Sequence, residues 1–207
     1  MKRRSLIVLL PAAVAACSAL PQKPTRQTMY DFGPAPAGGA DVAGDRPALT
    51  LPDVEAEGVL ETTALLYRLG YEDAFELRPY AYARWSAPPT QLVHQRLRDV
   101  LGHAHAVLDN SGAAALVRRG ADRPPVLRVH LDEFCQVFDA PGTSRGTARL
   151  SCTLLQASGG GERLVGQRRF ESAQPAPSAD ASGGVRALTA AVDAAAQDIA
   201  RWLQQPG

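Results

Sequence analysis

From Leu127 to Leu154 the chain alternates apolar and polar residues around a single turn, and no other stretch restricts the fold as much. Leu127, Val129, Leu131, Cys135 and Val137 share one parity, interrupted by Glu133, while Arg128, His130, Asp132 and Gln136 share the other. Successive side chains of a strand point to opposite faces, so this is the pattern of a half-buried strand. After Pro141-Gly142-Thr143-Ser144 the pattern resumes with Ala148, Leu150, Cys152 and Leu154, and Glu162 to Ser172 add a further strand beyond Gly159-Gly160-Gly161. A sheet with one apolar face must be covered by another layer.

Two segments have the period to cover it. In Thr90 to Leu101, opened by Pro88 and Pro89, Val93, Leu97, Val100, Leu101 and then Ala104 recur at helical spacing, with Arg96, Arg98 and Asp99 off that face. Near the C-terminus Val185, Leu188, Val192, Ala195, Ile199 and Trp202 repeat every three or four residues. Earlier strands are expected at Gln27 to Phe32 and Ala48 to Val54, and a hairpin at Thr63 to Leu69 and Ala74 to Tyr80 across Gly70-Tyr71-Glu72-Asp73. Pro34 to Ala40 and Ala173 to Gly184 read as loops. The expected fold class is therefore α+β, a two-layer sandwich of an antiparallel or mixed sheet with two main helices. Residues 27–207 form one domain.

The first seventeen residues have a different logic. Lys2, Arg3 and Arg4 precede the apolar run Leu6 to Leu10, and small residues follow, which is the layout of a secretory signal peptide. The run is too short for a hydrocarbon core, which takes about 20 apolar residues on a helix. Val14-Ala15-Ala16-Cys17 resembles the bacterial lipobox, which implies that residues 1–16 are removed and that Cys17 is lipidated. Ser18 stands where an aspartate would resemble an inner-membrane retention signal, so the similarity favours the outer membrane, with the body facing the periplasm. Residues 17–26 carry Pro21 and Pro24 and little to bury, as suits a flexible tether. Losing Lys2, Arg3 and Arg4 turns the net charge from +1 to slightly negative, and nothing points to nucleic acid.

Export places Cys135 and Cys152 in an oxidising compartment. A turn centred near residue 143 pairs positions whose numbers sum to about 286, so a disulfide between these two is expected, with two buried free thiols as the alternative. Catalytic motifs are scarce. There is no phosphate-cradling G-x-x-x-x-G-K-[ST] and no G-x-S-x-G elbow. Ser111 lies in Asp109-Asn110-Ser111-Gly112, which reads as a turn, and His103-x-His105 lacks companions at metal spacing. No catalytic residue, metal site or cofactor is expected.

In Leu77 to Val93 an aromatic strand passes through Arg84-Trp85 into the proline-started helix. Tyr80, Arg84, Trp85 and Pro89, with Leu92, Val93, Leu97 and Leu101 behind them, resemble the Tyr-x-x-x-Arg-Trp-x-x-x-Pro-like junction of the ABC-type transport auxiliary lipoproteins. The early strand Tyr30 to Pro34 is similar to that family's opening strand. The resemblance implies a noncatalytic component of a system moving lipid or another hydrophobic solute, partnered by an MCE-domain protein and held to the outer membrane by its lipid anchor, with a homo-oligomer left open. Trp85 is expected to plug the core while Arg84 caps a carboxylate, or both serve a partner surface. Two other classes compete. A lipid-modifying hydrolase needs converging catalytic groups, whereas alternation sends Asp132 and Glu133 to opposite faces. A self-assembling envelope lipoprotein needs Trp202 and Leu203 exposed together.

Overall fold

A computed structural model describes residues 26–34, 46–158 and 161–205. The expected signal peptide, Cys17, residues 18–25 of the expected tether, residues 35–45, and Gly159 and Gly160 lie outside the described residues. In chain order the elements are β1 (Thr28–Tyr30), β2 (Ala48–Thr50), β3 (Glu55–Ala56), a 3-10 turn (Gly58–Glu61), β4 (Ala64–Leu69) and β5 (Arg78–Trp85). Then come α1 (Pro89–Leu101), β6 (Ala106–Leu108), α2 (Asn110–Arg118), β7 (Val126–Ala140), β8 (Thr143–Ser158), β9 (Gly161–Pro175) and α3 (Ala181–Leu203).

The nine strands among the described residues join one mixed sheet organised on β7. Along one side of β7 runs β8, antiparallel, followed by β9. Along the other side β2, β3 and β4 dock in succession, all parallel to β7. β5 pairs antiparallel with β4, and β1 pairs parallel with β5. β6 pairs parallel with β2. The fold is α+β, with α3 packed on β7, β8 and β9 and α1 packed against α3 and the 3-10 turn. The stretch from Ala48 to Val54 is not one strand: it breaks after Thr50, where Leu51 N–H donates to Leu108 O. The hairpin loop is longer than Gly70 to Asp73, since β5 starts only at Arg78.

Helix ends follow local chemistry. Pro89 opens α1, where its missing N–H costs nothing. Asp180 caps α3, accepting from Gly183 N at 2.7 Å, and its carboxyl is held below the usual range by that backbone bond and by Ser178. Asp109 does the same for α2, accepting from Gly112 N at 2.7 Å. Asp109-Asn110-Ser111-Gly112 is thus a capped helix start rather than a turn, and α2 is a third helix. Of the expected loop from Ala173 to Gly184, the first three residues belong to β9 and Gly183 and Gly184 belong to α3, where a Cβ on either would collide with Ser178 O or Gln136 Oε1. Val185, Leu188, Val192, Ala195 and Ile199 form its buried stripe. Gly146 of β8 lets that stripe close on the sheet, since a Cβ there would run into the backbone of Ala187 and Leu188.

The decisive irregularity lies inside β7. Leu131 pairs with Leu150 and Glu133 with Arg149, leaving Asp132 without a partner. An extra residue of this kind is a β-bulge, and it resets which side chains face which side. Before it, Leu127, Val129 and Leu131 face the helices. After it, Phe134 and Gln136 do.

Candidate functional site

The Arg-Trp junction splits between the two faces of the sheet. Trp85 is 1% exposed and lies in the core, with its ring centroid 5.5 Å from Phe32, edge-on, and 5.4 Å from Phe134. Phe134 reaches this cluster because of the bulge, against the parity its sequence position gives it. Pro89 is buried at the start of α1. Arg84, one residue from Trp85, projects to the opposite face and is exposed. It forms no ion pair among the described residues, so the carboxylate cap expected of it is absent there.

Tyr80 belongs to a buried polar chain. Its hydroxyl donates to Gln136 Oε1 at 2.8 Å, and Gln136 Nε2 donates to Ser144 Oγ at 2.8 Å. Gln136 is 0% exposed, although its sequence parity placed it with the polar residues, and it lies against Gly184. Burial, with the neighbouring Tyr67 and Asp180, pushes the Tyr80 phenol well above its ordinary range, so it stays a neutral donor.

Arg96 stands off the apolar stripe of α1 and yet is buried, 3% exposed. Its Nη1 pairs with Asp193 of α3 at 2.8 Å and its Nη2 donates to Phe32 O at 2.7 Å. One guanidinium therefore ties α1, α3 and the segment after β1 together. Burial raises the Asp193 carboxyl, and the Arg96 charge offsets only part of this. This helical spacing gave no signal for it, because a residue off an apolar stripe is normally solvated.

The uncovered face of β7, β8 and β9 is a lattice of charge. Arg149 pairs with Glu133 at 2.7 Å and with Glu171 at 3.1 Å, and Arg145 pairs with Asp139. Asp132 and Glu133 do not point to opposite faces. The bulge turns both to this one, where they border a recess of about 650 Å³ with Arg68, Arg145 and Arg149. On the same face His130 and Ser151 both meet Asp132. The order of contacts is wrong for a nucleophile, however: Ser151 Oγ donates to Asp132 Oδ2 at 2.6 Å, and His130 Nδ1 approaches Asp132 Oδ1 at 2.9 Å. A catalytic serine gives its proton to an imidazole that the carboxylate orients, whereas here the carboxylate stands between the two. Ser111 is spent on the α2 cap, donating to Asp109 Oδ1 at 2.8 Å. His103 is exposed in the turn after α1, while His105 is half-buried and its charged form is disfavoured by burial. Among the described residues no group of three or more His, Cys, Asp or Glu side chains is placed to hold a metal ion.

The expected disulfide is corrected. Cys135 and Cys152 are both free. Cys135 stands opposite Thr147, and Cys152 stands opposite Val129. Thr147 and Cys152 are five residues apart on one strand, ~17 Å at strand rise, while a disulfide needs its Cα atoms within ~7 Å. The bulge also puts the two thiols on opposite faces. Burial pushes Cys135 up to about 11, helped by Glu133, and Cys152 up to about 12, so both stay protonated.

A cleft of about 660 Å³ separates α2 from the strand ends, with Ala113, Val117 and Val126 on its apolar side and Arg118, Arg123 and Arg128 around it. At the other end of the molecule a recess of about 540 Å³ lies among Arg26, Gln27, Thr28, Met29 and Arg84.

Fold and surface together define a two-layer α+β domain held by an apolar inner face and carrying no assembled catalytic group among the described residues. Residues 30–200 match the model of the ABC-type transport auxiliary lipoprotein component family, and the chain belongs to that family. No curated protein matches the chain. Among solved structures, a protein from Xanthomonas campestris is similar at 18% identity and a TM-score of 0.69, over 85% of this chain and 94% of that one. An uncharacterised protein aligns at 14% identity and a TM-score of 0.65, over 86% and 99% of the two chains. A hypothetical protein from Chlamydia trachomatis reaches 9% identity and a TM-score of 0.50, over 77% and 96%. At these identities the likeness is one of fold.

Proposed function

We propose that this protein is an outer-membrane-anchored periplasmic lipoprotein, acylated at Cys17, that serves as the noncatalytic outer-membrane-side component of an MCE and ABC-type transport system for lipid or another hydrophobic solute. Membership of the auxiliary lipoprotein family carries the reading. The lipobox-like Val14-Ala15-Ala16-Cys17 and the short run from Cys17 to the first strand support the anchor. The Ser151-Asp132-His130 order, which leaves the serine unactivated, supports a binding role over a hydrolase. Trp202 and Leu203 are half-buried and packed on the core, Trp202 with its ring 5.7 Å from Phe170, so the exposed pair that self-assembly required of them is not there.

In this role the inner face stabilises the domain and the outer face is available to a partner. A pull-down from crosslinked envelopes tests it: an MCE-domain protein is the expected co-purifying partner. Recovery of the chain alone, or with unrelated porins, refutes the assignment. Metabolic labelling with palmitate tests the anchor separately, with signal in the native chain and none in C17S. Finding the mature protein in inner-membrane fractions removes the outer-membrane role while leaving acylation intact.

A further inference from the structure

The register of β1 against β5 places an unusual group of side chains where the tether enters the fold. Thr28 aligns with Ala83, Met29 with Arg84 and Tyr30 with Trp85. Ala83 and Trp85 are buried, so Met29 and Arg84 share the opposite side, and Tyr82, two residues before Arg84, joins them. Met29 is 67% exposed and Tyr82 is 61% exposed. Arg26 and Arg84 border the same recess, and neither makes an ion pair among the described residues. No acidic residue lines it. The patch therefore combines a flexible apolar side chain, an amphipathic aromatic ring and two cations.

That is the chemistry of a membrane–water interface. Tyrosine rings settle at headgroup level, and arginine is drawn to the anionic phosphates beside them. Position supplies the second argument. Only residues 18–25 separate Cys17 from Arg26, a run that even fully extended spans about 30 Å. A surface held that close to a bilayer is presented at high effective concentration, so a contact too weak to recruit a free protein is still occupied.

We propose that the β1–β5 edge, through Arg26, Met29, Tyr82 and Arg84, is a membrane-contact surface that lays the domain against an anionic phospholipid bilayer. The proposal rests on the acylation of Cys17 proposed above. It fixes the orientation of the body: β1 and β5 lie toward the lipid, and the β4–β5 loop, with Phe75 93% exposed before the start of β5, lies away from it.

The test avoids dependence on acylation. The mature chain carries a histidine tag in place of the lipid at residue 17 and is captured on vesicles of phosphatidylcholine and phosphatidylglycerol containing a nickel-chelating lipid. A bimane label is attached to M29C or, separately, to F75C, and quenching by spin-labelled lipid is read. The native thiols at 135 and 152 are buried, so the label reports the introduced cysteine. Expected is quenching several-fold stronger at position 29 than at position 75, reduced to the level of position 75 by R26E/R84E and by high salt. Equal quenching at both sites overturns the proposal, as does quenching that is indifferent to charge reversal. Sedimentation without vesicles provides the further control. A dimer abolished by R26E/R84E would assign the patch to a second copy of the chain and overturn the membrane assignment. Failure of Cys17 to label with palmitate would instead remove the anchor and leave the quenching result standing.

Discussion

The two faces of the sheet are built on different physics. The inner face is an apolar fit that buries Trp85, Phe134, Leu131 and Leu150, and two glycines, Gly146 of β8 and Gly184 of α3, set how closely the helix approaches the sheet. The outer face is a set of half-solvated ion pairs around Arg149 and Asp132. Burial of apolar area is worth about 25 cal/mol per Å², while exposed ion pairs typically contribute about 0–1 kcal/mol. Stability should therefore reside on the inner face, which leaves the outer one free to vary with a partner. Asp132 decides which half of β7 contributes to which face.

The sharpest way to break this contrast is to exchange its two neighbouring residues at the junction. W85A should cost about 3–5 kcal/mol by emptying the aromatic cluster, while R84A should stay within about 0.5 kcal/mol. Urea unfolding of the two variants side by side gives the comparison. A loss of partner capture in R84A at unchanged stability would also separate a binding role from a structural one.

Next in size is the ion pair that belongs to the inner face. R96A should cost about 3 kcal/mol because it strands the half-buried Asp193, whereas R96M/D193L should recover most of that loss. A double variant no more stable than R96A would mean that the bonds to Phe32 O and the aromatic ring, rather than the charge, hold the helices.

Deleting Asp132 is a milder test of the bulge itself. The pairs Leu131–Leu150 and Glu133–Arg149 keep their register when the unpaired residue is removed, so the strand becomes regular and the cost should be only about 1–2 kcal/mol. Were β7 a continuous alternating strand, the same deletion would turn one half inside out and unfold the domain. Thermal unfolding distinguishes the two outcomes.

The smallest expected effect is in pH dependence, and its sign differs between the faces. Burial raises Asp132, but the hydrogen bonds from Ser151 and His130 and the charges of His130 and Arg169 outweigh it, holding the carboxyl below its ordinary value. Its contribution is thus complete above the unfolded carboxylate range and lost as pH falls through the folded value. Asp193 is raised by burial, so its contribution is present in acid and lost as pH rises through that raised value. Urea unfolding between about pH 3 and pH 7 should show a shallower acid decline in D132N and a steeper one in D193N.

Periodicity announced the long strands and both long helices because α1, α3, β8 and the first half of β7 each bury one stripe, whereas β3 and β6 are too short to show a period and β5 lies later than the expected Ala74 to Tyr80. Resemblance at Tyr80, Arg84, Trp85 and Pro89 was enough to reach the family. The second half of β7 departs from its alternation for one reason. A bulge costs a single residue, and Asp132 looks like any other polar member of an alternation. Its effect reversed four expectations: Gln136 turns inward, Cys135 and Val137 turn outward, and Asp132 and Glu133 share a face. The disulfide fell with it, since its arithmetic assumed uninterrupted pairing. Helix α2 is not legible in the sequence because Asn-Ser-Gly after an aspartate suits a turn and a capped helix equally, and only the packing of Ala113 separates them.

What the sequence determined by itself was therefore local and periodic: the strand and helix stripes, the Pro89 start of α1, and the family-like junction. Tertiary structure alone decided the register of β7 on β8, the burial of Arg96 against Asp193, and the meeting of Met29, Tyr82 and Arg84 beside the tether. Each of these depends on where two distant segments lie relative to one another. Residue type and spacing set a side chain's preference, but the partner strand or helix decides whether that preference is satisfied.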